Sequence, residues 1–207
     1  MNPAGGGLPA PLRLAAVLAI AFAGLCGTRG AWEGFALARF SELRAAPLPV
    51  RPGPDPVLAE QLWSAHLAAL EQMREPRMVV LFALALVCSL TFVASVRFLR
   101  PAGLAREHVR RILVWALVVA AVLRTIDGAQ AAAVARRAAE GLRHAPRIPS
   151  GIGGVTAEQL RGVAPAALMA EAILTTVFVA GAFIVLSQYF RSPRVRAWVQ
   201  QADAVAR

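Results

Sequence analysis

The sequence contains no lysine, and all 22 of its basic residues are arginine. It has one tyrosine and two cysteines, and only 16% of its residues are charged, against about 25% in a soluble domain. Each shortage excludes something. With 57% hydrophobic residues, so few charges exclude disorder and argue against an ordinary soluble enzyme. The two cysteines, Cys26 and Cys88, lie inside apolar runs and read as small buried apolar residues. There is no CxxC and no paired Cys/His spacing, so zinc and thiol-redox centres find no support. No Ser/His/Asp arrangement and no glycosidase-like carboxylate pair stands out. The run Ser150-Gly151-Ile152-Gly153-Gly154 lacks the Lys-Ser/Thr of a phosphate loop and reads as a linker. No catalytic residue, cofactor or metal ligand is expected, and the chain reads as a non-enzyme.

What is present points to a membrane. Twenty-two basic against 12 acidic residues give a net charge of +10. The arginines flank apolar runs instead of building a basic face with interleaved aromatics, so nucleic acid is not the expected partner. The charge bears on topology and on anionic headgroups. Arginine without lysine, with abundant Ala, Gly and Pro, fits a GC-rich bacterial genome.

A transmembrane helix needs about 20 mostly apolar residues. Met78 to Val96 and Ala172 to Phe190 are each 19 residues without a charge. Leu14 to Thr28 gives 15, and Ile112 to Leu123 gives 12 before Arg124. The first of these weaker runs has a signal-peptide alternative, with Arg13 ahead of it and Ala21-Phe22-Ala23 as an A-x-A site.

An internal repeat decides for a span. Ala59-Glu60-Gln61-Leu62 recurs as Ala157-Glu158-Gln159-Leu160, and Gly30-Ala31 recurs as Gly128-Ala129 at the same offset of 98. Phe98-Leu99-Arg100-Pro101 resembles Tyr189-Phe190-Arg191-Ser192-Pro193 in closing each half. The first run then corresponds to the third, which is internal.

The expected fold is an all-α membrane protein with four transmembrane helices in an up-down-up-down bundle. It is built from a tandem two-helix repeat with helices extended on the outer side. Residues 1–101 form the first repeat, with spans about 12–32 and 77–99. Residues 102–207 form the second, with spans about 111–132 and 166–190 and an interfacial tail carrying Val195, Trp198, Val199 and Ala202 on one face. Five arginines crowd residues 97–111, whereas the longer loops 29–77 and 132–165 mix 11 arginines with eight acids. That density places both termini in the cytoplasm of a bacterial inner membrane.

The odd-numbered spans are expected to run outward to about Pro47 and Pro146, with linkers Pro47–Pro56 and Pro146–Gly154. Helices should restart at Asp55-Pro56 and at Thr156 with Gln159, and Pro76 and Pro165 should break or kink their helices. Ala15, Ala19, Ala23 and Gly27 form a small-residue seam.

Charges within spans are costly and mark candidate sites. Arg124 and Asp127 lie three apart on the third span, Glu171 lies near the start of the fourth, and Arg29 occupies the repeat position related to Asp127. Arg29, Arg124, Asp127 and Glu171 are therefore expected to form an outer-leaflet cluster, acting as a structural ion pair or lining a solute path. The histidines His66, His108 and His144 read as surface residues. The favoured function is an interaction or accessory subunit whose partners are the lipid bilayer and another membrane protein or a second copy. The alternative is a small transporter or channel using the charged cluster.

Overall fold

The computed structural model describes residues 8–46, 56–100, 105–143 and 157–205. Every regular element among them is helical. In chain order these are α1 (Ala10–Ala38), α2 (Phe40–Ala45), α3 (Pro56–Gln72), α4 (Arg74–Leu99), α5 (Arg106–Arg143), α6 (Ala157–Arg191) and α7 (Pro193–Val205). Four stretches are long and apolar enough to cross a membrane: Ala10–Ala38, Arg74–Leu99, Arg106–Glu140 and Met169–Arg191. At 1.5 Å per residue, the 38 residues of α5 extend about 57 Å, well beyond a hydrocarbon core of about 30 Å.

The chain divides into two compact units. The first comprises residues up to Ala31, Phe82 to Arg124, and Phe178 onward. Its core draws on five helices: Ala16, Ala19 and Ala23 of α1, Leu84, Cys88 and Phe98 of α4, Leu113 and Leu117 of α5, Phe183 and Phe190 of α6, and Val195 and Val199 of α7. The α1 contribution is almost all alanine. The expected seam is buried at Ala15, Ala19 and Ala23, and a Cβ on Gly27 would stand 3.0 Å from the Cys88 Cβ. Small side chains let α1 and α4 approach closely, as packing between apolar spans requires.

The outer faces of these helices are apolar too: Leu25 and Leu86 are each 73% exposed and Trp115 is 68% exposed. Several polar groups in this unit are buried and find partners. The Thr91 and Ser95 hydroxyls donate to the carbonyls of Val87 and Thr91, and that of Ser187 donates to Val114 of α5. Apolar outside and satisfied polar inside is the pattern that lipid imposes.

The tail helix α7 spends its apolar face on this core, with Val195 and Val199 buried. It is tied down by Asp203, whose carboxylate accepts from the backbone N–H groups of Arg106 and Glu107 at 2.9 and 3.0 Å. These are two of the N–H groups that the first turn of α5 leaves without intrahelical partners.

The second unit comprises Trp32 to Leu81 and Thr125 to Val177. One cluster joins Leu37, Phe40, Leu67 and Leu81, and another joins Ala69, Val134 and Ala138. Gly128 of α5 lies so close to α6 that an added Cβ would overlap the Thr176 side chain.

One expectation about helix ends is corrected here, and two are narrowed. The first helix does not run on to Pro47. It stops at Ala38, and α2 begins at Phe40 after Arg39 leaves helical geometry at φ −100°, ψ 44°. Arg74 Nε and Nη2 donate to the carbonyls of Leu37 and Ala38 at 2.9 and 3.0 Å, satisfying acceptors exposed by the break. The break expected near Pro76 is present, three residues earlier in the chain. It falls at Met73, and Pro76 sits in the first turn of α4, where its missing N–H costs nothing. Pro165 lies within α6, which continues through it. The expected caps at Asp55 and Thr156, the two linkers and His144 lie outside the described residues.

Candidate functional site

The second unit gathers charge around one guanidinium. Arg77 projects from the first turn of α4, and its side chain is 9% exposed. Its Nη2 lies 2.9 Å from Oε2 of Glu33 on α1 and 3.3 Å from Oδ1 of Asp127 on α5. Its Nη1 donates to the Asp127 backbone carbonyl at 3.4 Å. One cation thus ties three helices. Asp127 is 3% exposed, and Glu33 is half-buried.

A fourth helix brings a titratable ring. His66 of α3 is half-buried, not a surface residue, and stacks on Trp63 with ring centroids 6.0 Å apart. Burial holds its imidazole below the ordinary value, and the Arg77 charge lowers it further, while Glu33 works in the opposite direction. The ring is therefore held toward its neutral form beside the Arg77 ion pairs.

Charges out of water are costly unless paired and hydrogen-bonded. Here two carboxylates face one guanidinium. The arrangement can act as a staple that fixes α1, α4 and α5 in register, and breaking it would strand a buried charge. No group of three His, Cys, Asp or Glu residues placed to hold a metal ion occurs among the described residues.

Of the four residues expected to form a site, Arg124 and Asp127 are buried, whereas Arg29 and Glu171 are exposed. Arg29 and Arg124 belong to the first unit, and Asp127 and Glu171 to the second. Asp127 pairs with Arg77, which also pairs with Glu33, and neither Arg77 nor Glu33 is among the residues expected from the sequence. Both lie just outside the charge-free runs used to find spans. The signal that could have found them is common position along the helices: residues 33, 77 and 127 each sit where an apolar run meets a more polar segment.

No protein-family model, no curated protein and no solved structure matches this chain.

Proposed function

We propose that this chain is a non-enzymatic interaction subunit of a bacterial inner membrane, which seats a helix of a partner membrane protein against α6. The observation behind this reading is the uncovered face of α6. Within Met169–Arg191 only 17% of the apolar window is buried, against 44% for α5. In the second unit this helix leaves Glu171 exposed beside Ile173, Leu174 and Val177. In the first unit it leaves Phe178 and Val185 exposed, with open space where a Cβ of Gly181 would lie. Lipid has no use for a carboxylate or a bare stretch of backbone. A neighbouring helix can meet both, with a cation or donor for Glu171 and a close approach at Gly181.

The same reading takes both termini as cytoplasmic and the four spans as an up-down-up-down tandem repeat. The arginine density of residues 97–111 supports the orientation. The recurrence of Ala59-Glu60-Gln61-Leu62 as Ala157-Glu158-Gln159-Leu160 and of Gly30-Ala31 as Gly128-Ala129, both at an offset of 98, supports the repeat.

A second reading, a small transporter, is favoured by one observation. His66 and the Glu33–Arg77–Asp127 ion pairs place titratable groups from four helices together, as a proton-linked solute path would require. The ion pairing favours the structural role.

Affinity isolation of the tagged chain from native membranes, with mass spectrometry of accompanying proteins, tests the proposal. A stoichiometric membrane partner is expected. A monodisperse monomer without a partner would overturn it and move the weight to transport.

A further inference from the structure

We infer that an arginine-lined groove at the start of α5 binds the headgroup of an anionic phospholipid. The groove, about 160 Å3 in the first unit, is lined by Arg110, Arg111, Val114, Trp115, Val118 and Arg191.

Its charge is unbalanced. Arg110 is 7% exposed, and its Nε and Nη2 donate to the Glu107 carboxylate at 2.7 and 2.8 Å. Its Nη1 donates to the Phe190 carbonyl at 2.9 Å. Glu107 also accepts from Arg111 Nε at 2.9 Å. The Arg111 side chain is nevertheless 62% exposed, and Arg191 is exposed at the end of α6. Arg110 and Arg111 share one carboxylate and Arg191 adds a third guanidinium to the lining, so three positive charges stand against one negative charge, a net of +2. The Asp203 carboxylate is not part of the lining and instead caps the α5 backbone. Guanidinium forks match phosphate oxygens in pairs.

The rest of the lining selects a lipid over a free anion. Arg111, Trp115 and Val118 stand at i, i+4 and i+7 on α5, so they share one stripe. Val114 and the exposed ring of Trp115 lead from the arginines along the apolar stretch of the helix. A phosphate would use only the charged mouth. A phospholipid places its phosphate there and its acyl chain along the valines, with Trp115 at the interface between them. The volume is about that of five water molecules, which suits a headgroup whose tails lie outside.

The test is native mass spectrometry of the full-length protein with equimolar phosphatidylglycerol and phosphatidylcholine. Preferential retention of phosphatidylglycerol is expected. The double variant Arg111→Gln/Arg191→Gln should weaken it on the order of twentyfold, at about fivefold per arginine. The charge-matched control Arg136→Gln/Arg137→Gln, at exposed positions of α5, should leave it intact. Trp115→Ala should shorten lipid retention without changing any competition by inorganic phosphate. Circular dichroism checks that each variant is folded. Equal retention of the two lipids, equal loss in both double variants, or full displacement by equimolar inorganic phosphate would overturn the assignment.

Discussion

Arg77 Nη2 lies 2.9 Å from the Glu33 carboxylate and 3.3 Å from that of Asp127, so one terminal nitrogen serves two acids on two other helices. Removing the cation takes an ion-pair partner from both acids. Arg77→Gln should destabilise the folded protein by about 3–5 kcal/mol, measured by denaturant unfolding in detergent. Replacing all three charges, as in Arg77→Leu with Glu33→Gln and Asp127→Asn, should recover much of that loss. A single substitution without effect would show that the ion pairs do not hold the helices.

His66 gives the second unit a pH dependence whose sign follows from burial. The folded imidazole takes up a proton less readily than the unfolded one, whose ordinary value is 6.5. Its contribution is complete above that value. It is lost progressively as pH falls below about 6.5 and through the lower folded value, because the unfolded chain then binds the proton first. Thermal unfolding between pH 8 and pH 5 should show this decline, and His66→Gln should flatten it. An unchanged slope would remove His66 as its source.

Two glycines should respond oppositely to alanine. At Gly128 the new Cβ overlaps the Thr176 side chain, which is itself buried, and overpacking of this kind costs about 1–3 kcal/mol. At Gly181 nothing stands within 4 Å, and the better helix former should stabilise the isolated protein by up to about 1 kcal/mol. Paired melting curves of the two variants check the contrast.

Asp203 should anchor the tail. Its carboxylate caps two backbone N–H groups of α5, so Asp203→Ala should cost about 1 kcal/mol and free α7 for limited proteolysis near Pro193. Asp203→Asn retains an acceptor oxygen and should lie between the wild type and the alanine variant. Equal cleavage in all three would show that Val195 and Val199 hold the helix without the cap.

The spans were legible because apolar length is a one-dimensional signal: Met78–Val96 and Ala172–Phe190 fall within α4 and α6. The seam at Ala15, Ala19, Ala23 and Gly27 was legible for the same reason, since spacing of four places residues on one helical face. The break at Arg39 was not, because the carbonyls it exposes are met by Arg74, 35 residues later in the chain. Asp127 and Arg124 could be selected as charges inside a span. Their environment could not, because the guanidinium that meets Asp127 belongs to a residue just outside the neighbouring apolar run. Pairings across helices are set by rotation and depth, which composition along one helix does not encode.

The central claim is that the open face of α6 is occupied by a partner helix in the native membrane. Its most direct test is a photoreactive benzoylphenylalanine at Val185, compared with the same probe at Leu86 of α4, a position equally open to the surroundings. The account predicts one discrete protein adduct from position 185 and none from position 86. Matching lipid-only labelling from both positions would contradict it.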